Sequence, residues 1–201
     1  MQERILKSLI LENEDYFFTG HLIIKGNINI SNSNIIVAGH LTILGDVILK
    51  DSNLIVSGTL SFSNENGSAN ISITGSDISV YELKSSASIT IRDGDLYAYY
   101  LDLDDIYPPA ANIDSDGNIE VTKDSYIGNI SCLNYFVSGN NYSNTITAIQ
   151  DIYILGINNS DDIKARDVLI GGNCTFGDGG LISKTFECGG DVGCCSYMSV
   201  G

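Results

Sequence analysis

The chain has little positive charge, almost no histidine and no long apolar run. Its 201 residues include ten lysines and arginines against 25 acidic residues, so the formal net charge is −15. This charge disfavours nucleic acid and anionic lipid as partners. No stretch approaches the roughly 20 apolar residues of a membrane-spanning helix. We therefore expect no nucleic-acid partner and no insertion into a membrane.

Histidine occurs only at positions 21 and 40. This scarcity excludes Ser-His and Cys-His catalysis everywhere except at those two positions. His21 and His40 are equivalent in the repeat described below, so we expect them to stack on one corner. A surface ladder is one interpretation of such a stack, and a metal-binding pair is the other.

The N-terminus is also a poor match to a cleavable signal peptide, because Lys7 and Ser8 interrupt its apolar residues and no small-residue cleavage site follows. We expect a cytoplasmic protein, or one exported without a cleavable signal. The five cysteines are an odd number, so at least one thiol has no partner within a monomer. Four of them lie near the C-terminus and leave zinc, disulfides and free thiols open as interpretations: Cys174, Cys188, Cys194 and Cys195.

The most informative feature is an internal repeat of 19 residues. Residues 20–38 align without a gap over residues 39–57, and a third copy opens at Gly58. Each unit carries three apolar-x-apolar triplets, whose period of two sends the first and third residue to one face. The pattern predicts an all-β fold, a single-stranded parallel β-helix with coils of about 19 residues. Two large aliphatic residues per face favour a right-handed solenoid over the left-handed hexapeptide type.

The residues between the triplets indicate sharp corners. Gly26 aligns with Gly45, and the pair Ser33-Asn34 aligns with Ser52-Asn53. These residue types tolerate tight or left-handed bends. Stacked asparagines also predict an amide ladder between coils about 4.8 Å apart.

Three regions follow from this pattern. Residues 1–19 are predicted to cap the first coil, with Ile5, Leu6, Leu9 and Ile10 on one side of a short helix. Residues 20–170 form the solenoid, with corner insertions near 82–88 and 96–112, where solenoids usually bind partners. Residues 171–201 are rich in cysteine and glycine and are predicted to be an irregular cap or tail. Because both ends look capped, we expect a monomer or a small homo-oligomer.

The units Leu41-Thr-Ile-Leu-Gly-Asp46 and Leu54-Ile-Val-Ser-Gly-Thr59 resemble those of bactofilins, the polymer-forming bacterial cytoskeletal β-helices. The resemblance covers residues 20–62 and implies a β-helical structural protein that assembles into polymers. Bactofilins are regular throughout and have disordered tails, whereas this chain has long insertions and a cysteine-rich end.

Residues 112–120 carry oxygen-bearing side chains at alternate positions, with Gly117 in sixth place, as a calcium loop does. The candidate calcium ligands are Asn112, Asp114, Asp116, Asn118 and Glu120. Lys123 stands where a calcium loop has its bidentate acid. A tight Asp-Gly turn between two strands is the alternative interpretation.

The preceding insertion combines aromatic rings with carboxylates. Its candidate partner-binding residues are Tyr97, Tyr99, Tyr100, Asp102, Asp104, Asp105 and Tyr107. Tyrosine faces beside acids suit a sugar or a cationic partner, and paired carboxylates are also the minimum for a glycosidase or a uronate lyase. A loop packed on the solenoid wall would have the same composition.

These patterns favour a non-enzymatic structural or interaction protein, a β-solenoid scaffold that binds a protein or polysaccharide partner through its decorated side. The alternative is a pectate-lyase-like carbohydrate-active enzyme that uses the acidic residues of the region 96–120. Such enzymes typically place Arg or Lys beside calcium-bound carboxylates, and Arg92 is the one basic residue near residues 102–116.

Overall fold

The computed structural model describes residues 2–63, 69–103, 111–177, 179–193 and 197–201. In these residues the only regular structure is β, with 24 strands joined in one sheet by parallel pairings. None of the described residues forms a helix of the kind that could cross a membrane. The predicted parallel β-solenoid is therefore confirmed.

The strands are short and follow one another closely along the chain. The first eleven are β1 Glu3–Leu6, β2 Leu9–Glu12, β3 Tyr16–Ile24, β4 Ile28–Ser31, β5 Asn34–Ile43, β6 Val47–Lys50, β7 Asn53–Phe62, β8 Ile71–Thr74, β9 Ile78–Ser85, β10 Ile89–Arg92 and β11 Leu96–Asp102. The others are β12 Ile113–Ser115, β13 Asn118–Val121, β14 Ser125–Cys132, β15 Asn134–Val137, β16 Asn141–Ala148, β17 Asp151–Ile154, β18 Asn158–Lys164, β19 Asp167–Ile170, β20 Cys174–Phe176, β21 Gly180–Ser183, β22 Thr185–Cys188, β23 Val192–Gly193 and β24 Tyr197–Val200.

The strands stack in three walls. Wall A is the stack in which Leu22 lies on Leu41, wall B is the stack in which Ile28 lies on Val47, and wall C begins with Tyr16 on Ile35. Stacked residues are 19 positions apart in the first coils. This spacing is 16 to 18 in the second half of the chain, so the later coils are slightly smaller.

The predicted inward residues form the core. In the second coil Leu22, Ile24, Ile30, Ile35 and Val37 are completely buried. Burial of one such side chain stabilises the fold by roughly 1.5–3 kcal/mol. Because the rows of inward residues continue from coil to coil, the core is one long and mainly apolar column rather than a globular centre.

One corner uses left-handed backbone. Asn13, Asn32, Asp51 and Asp93 have φ values between 48° and 58°, and Gly75 has a φ of 61°. Asparagine, aspartate and glycine tolerate this conformation better than other residues do. The residue that bends the chain therefore lies one position before the serine that the sequence indicated. That serine ties the corners together, since the Ser33 amide donates to Ser52 Oγ at 3.1 Å.

A hydrogen-bonded ladder runs along the corner between walls B and C. The predicted asparagine pair is present, because Asn53 Nδ2 donates to Asn34 Oδ1 at 3.0 Å. In most coils the side-chain oxygen at this position accepts the backbone amide of the next coil. This corner ladder consists of Asp15, Asn34, Asn53, Asp77, Asp95, Asn118, Asn134, Asp151, Asp167 and Thr185.

Beside the corner ladder, the outward side chains in the middle of wall C form a second continuous row. The wall C row consists of Phe17, Ile36, Ile55, Ser79, Tyr97, Glu120, Phe136, Tyr153, Leu169 and Glu187. Only two of these ten residues are charged, although the chain has 25 acidic residues. The central outward row of wall C is thus mostly apolar.

The predicted N-terminal helix is wrong. Glu3–Leu6 and Leu9–Glu12 are strands that pair with β3 and β4 and complete a first coil. Leu9 is buried and Leu11 is half-buried, whereas Ile5 and Ile10 point outward. The segment forms strands rather than a helix because β3 and β4 have strand edges that would otherwise be unpaired, and only a strand can form hydrogen bonds with those edges.

The C-terminal segment, predicted to be an irregular cap or tail, contains further paired strands in the part that the structure describes. The chain continues in strands from Cys174 to Val200, and each pairs with the coil before it. The glycines of this segment serve the corners. A Cβ at Gly189 would collide with the carbonyl of Gly171, so the coils approach closely there because neither has a side chain.

The insertion expected at residues 82–88 begins elsewhere. Glu82 to Ser85 complete β9 and pair with Thr59 to Phe62 on wall A. The extra residues fall between Phe62 and Ile71, since stacked positions change there from 19 to 24 residues apart. Glu82 and Lys84 alternate with inward Leu83 and Ser85, which makes this segment wall rather than loop.

Candidate functional site

The five candidate calcium ligands do not face a common point. Asn112 Oδ1 accepts the Asn129 amide at 2.7 Å, and Asp116 Oδ1 accepts the Asp93 amide at 2.7 Å. Asp114 lies on wall B and forms an ion pair with Arg92, whose pKa is raised by this hydrogen bond.

The other two candidates lie on wall C. Asn118 belongs to the corner ladder between Asp95 and Asn134, and Glu120 stands in the wall C row. The described residues contain no group of three or more His, Cys, Asp or Glu side chains placed to hold a metal ion. The alternation that suggested a calcium loop belongs to corner residues and outward wall residues that follow one another around the coil, and calcium binding stays a prediction.

The candidate partner-binding residues divide between two walls. Asp104, Asp105 and Tyr107 lie outside the described residues. Tyr97 points outward from wall C, where its hydroxyl donates to Asp95 at 3.0 Å and this bond raises the pKa of Tyr97. The other three turn the corner onto wall A: Tyr99, Tyr100 and Asp102.

Wall A gathers residues that the sequence left far apart. Asp102 pairs in register with Tyr126, and Tyr126 pairs with Tyr142 of the next coil. A shallow recess of about 170 Å³ opens beside them and is lined by Glu82, Tyr100, Leu101, Asp102, Asp124 and Tyr126. We name the outward set the tyrosine–acid surface: Glu82, Tyr100, Asp102, Asp124, Tyr126 and Tyr142.

The rings of this surface are held by stacking. Tyr126 and Tyr142 lie parallel with centroids 4.8 Å apart. At the adjacent corner Tyr81 and Tyr99 stack at 4.9 Å, and Tyr100 meets Tyr99 edge to face at 4.9 Å. The distance between coils equals the preferred ring separation, so the backbone places these rings without strain.

The tyrosine–acid surface is acidic, and two lysine side chains of the chain itself lie close to it. Lys84 Nζ lies 3.3 Å from Glu82 Oε1 and 3.7 Å from Asp102 Oδ2. Lys123 Nζ lies 5.9 Å from the centroid of the Tyr99 ring, within the range of a cation–π contact. Burial, and then the charge of Asp124, raise the pKa of Tyr126, so its hydroxyl stays neutral.

The two histidines stack on wall A as expected. Their ring centroids are 6.0 Å apart and nearly perpendicular. His21 Nε2 lies 3.0 Å from Thr42 Oγ1, and His40 Nδ1 accepts the Thr59 amide at 3.0 Å. Each ring thus uses one nitrogen to join neighbouring coils, which favours the surface ladder over the metal pair.

Sequence reasoning missed a polar column inside the bore. Ser125, Asn141, Asn158 and Cys174 stack at one inward position of wall A, and all four are completely buried. The signal was available, since the motifs Asn141-Tyr-Ser143 and Asn158-Asn-Ser160 repeat at a spacing of 17 residues. In both motifs the Asn Nδ2 donates to the Ser Oγ.

Of the described cysteines, Cys132 and Cys188 are free thiols, and Cys174 is buried in the bore, where its sulfur accepts a hydrogen bond from Asn158 Nδ2 at 3.5 Å. Cys194 and Cys195 lie outside the described residues. Burial raises the pKa of Cys132 to about 12, which keeps that thiol protonated. It is therefore a core residue rather than a nucleophile.

These features give the chemistry of the molecule but no family. The bactofilin-like pattern of residues 20–62 stays a prediction. No family model, no curated protein and no solved structure matches the chain.

Proposed function

We propose that this protein is a non-enzymatic interaction protein, a β-solenoid scaffold that presents the tyrosine–acid surface of wall A to a basic segment of a protein partner. The observation that carries the proposal is the convergence of three carboxylates and three tyrosines around one recess and its neighbouring coil. Side chains of this kind provide what lysine and arginine require, a negative charge beside an aromatic face.

The chain itself supplies an example of this binding mode. Lys123 lies over the Tyr99 ring, and Lys84 lies between Glu82 and Asp102. A partner's basic residue would find the same combination at Asp124 and Tyr126. The net charge of −15 would steer such a partner toward the protein.

The positions of the acids favour binding over catalysis. The pectate-lyase-like alternative needs a basic residue beside carboxylates that hold calcium. Arg92 instead pairs with Asp114 on wall B, on a different wall from Asp102. Asp124 Oδ1 accepts a hydrogen bond from the Asn140 amide at 2.7 Å, so this carboxylate oxygen has a structural role at the corner. A rigid, shallow surface suits a partner that lies across it.

The test is titration of the protein with a fluorescent oligoarginine peptide. Asp102→Asn with Asp124→Asn keeps the shape and one oxygen of each side chain, and we expect it to weaken binding about tenfold, the effect of losing roughly 1.4 kcal/mol. Glu12→Gln with Glu14→Gln makes the same charge change on exposed residues of the first coil and serves as the control.

Added salt should weaken peptide binding to the wild-type protein more than to the Asp102/Asp124 variant. If the Asp102/Asp124 variant and the Glu12/Glu14 control lost the same amount of peptide affinity, only the net charge would matter, and this would contradict the proposal. Absence of peptide binding together with salt-independent binding of a neutral oligosaccharide would favour a polysaccharide partner instead.

A further inference from the structure

We infer that wall C is the interface between two copies of this chain, which lie against each other in opposite directions. The wall C row exposes large apolar side chains along the solenoid, among them Phe17 at 66%, Ile55 at 42% and Tyr153 at 40%. Continuous apolar surfaces of this length are usually covered. The pattern along the row identifies what covers this one.

A two-fold axis across the solenoid pairs the first position of each row with the tenth, the second with the ninth, and so on. In the wall C row this places Ile36 against the partner's Leu169 and Ile55 against the partner's Tyr153. In this arrangement neither glutamate of the row faces a glutamate of the partner. Glu120 meets a tyrosine, the partner's Tyr97, and Glu187 meets the partner's Phe17.

The corner ladder shows the same complementarity. On reversal Asp77 meets the partner's Asn134, and Asp95 meets the partner's Asn118. The remaining acids, Asp15, Asp151 and Asp167, meet Thr185, Asn53 and Asn34 of the partner subunit. Every carboxylate of the ladder therefore faces a neutral hydrogen-bonding group.

The opposite choice of direction lacks this complementarity. If both solenoids ran the same way about a two-fold axis along their length, each residue of the wall C row would meet its own copy. Glu120 would then face the partner's Glu120, and Glu187 would face the partner's Glu187. Like charges across an interface cost free energy, so the antiparallel arrangement is preferred.

The dimensions fit a modest dimer. Ten stacked strands about 4.8 Å apart give a face roughly 43 Å long, and three outward side chains give a width of about 14 Å. The resulting area, roughly 600 Å² per copy, is below that of a standard interface of about 800 Å² per partner. We therefore expect a dimer that dissociates on dilution. An occupant must be equally long and must offer apolar side chains along the wall C row and neutral hydrogen-bonding groups opposite the carboxylates of the corner ladder, as a reversed second copy of this wall does.

Sedimentation equilibrium over a range of concentrations tests the interface. The wild-type protein should show a monomer–dimer equilibrium, and Ile55→Lys should shift the dissociation constant upward at least tenfold. Ile48→Lys is the matched control, because Ile48 is similarly exposed at 49% but lies on wall B. A strictly monomeric wild-type protein, or equal effects of both variants, would overturn the inference.

A charge exchange tests the direction. Ile36→Lys alone should weaken the dimer, and adding Leu169→Glu should restore it, because the two new charges face each other only in the antiparallel arrangement. Failure of the double variant to recover, when both variants remain folded by circular dichroism, would exclude this register. Peptide binding at wall A is independent of these changes, so the two proposals fail separately.

Discussion

Asn141 and Asn158 lie one above the other inside the bore, and Asn141 Nδ2 donates to Asn158 Oδ1 at 2.8 Å. The Tyr135 hydroxyl donates to Asn141 Oδ1 at 2.8 Å, and Asn158 Nδ2 donates to Ser160 Oγ at 2.8 Å. Every residue of this network is buried. In the first coils the buried polar side chains are corner serines such as Ser33 and Ser52, whereas in the later, shorter coils asparagine also lies at an inward position of a strand.

Substitution of Asn158 tests whether this network stabilises the fold. We expect Asn158→Ala to lower the free energy of unfolding by about 2–3 kcal/mol, because it removes buried hydrogen bonds and leaves a cavity. Asn159→Ala, which changes the outward neighbour on the same strand, should alter it by less than about 0.5 kcal/mol. Urea unfolding of both variants measures the difference. Similar small losses would mean that water replaces the Asn158 amide inside the bore.

The stability of the protein should fall at alkaline pH because of Cys132. Its folded pKa of about 12 is above the ordinary value of 9.0, so the folded state keeps a proton that the unfolded state loses. This contribution is fully present below pH 9.0 and is lost as pH rises through 12. The loss in that window is about 1.4 kcal/mol for each pH unit.

Urea unfolding on both sides of pH 9.0 measures this slope. Burial also raises the pKa of Tyr135, so the wild-type slope contains both groups. Cys132→Ala should therefore flatten the slope without abolishing it. An unchanged slope in that variant would show that the Cys132 thiol does not titrate as its burial requires.

Calcium should not stabilise the protein through residues 112–120. The oxygens of Asn112 and Asp116 accept amides from different coils, and Asp114 is paired with Arg92. We expect millimolar calcium to leave the Tm unchanged, whereas Asp116→Ala should lower it by removing the acceptor of the Asp93 amide. Calorimetry with and without calcium makes the comparison. If calcium raised the Tm of the wild-type protein but not that of Asp116→Ala, this would support calcium binding by residues 112–120.

The sequence predicted the solenoid because its first coils repeat strictly. Leu22, Leu41 and Leu60 recur at one spacing, and each is completely buried. The N-terminal segment was misread because Ile5, Leu6, Leu9 and Ile10 satisfy the spacing of a helix as well as that of two short strands. Pairing with β3 and β4 decides between these structures, and single-sequence periodicity contains no information about pairing.

The tyrosine–acid surface was only half predictable. Tyr100 and Asp102 stand in an insertion rich in tyrosine and aspartate, and that composition indicated binding. Asp124 and Tyr126 join them through the register of β11 and β14, in which paired residues are 24 positions apart, whereas paired residues of later coils are 16 to 18 positions apart. Coil length cannot be extrapolated across the segment 104–110, so the neighbours of Asp102 could not be derived from the repeat.

The corner ladder and the stacked walls also determine how the chain can fold. Every paired strand finds its partner within 16 to 24 residues along the sequence, so each coil can dock as soon as the next few residues follow it. Folding can then proceed by addition, with each finished coil serving as template for the next. During translation the protein would therefore fold coil by coil. The strand edges of the last coil formed would stay open to pairing with other chains until the following coil covers them.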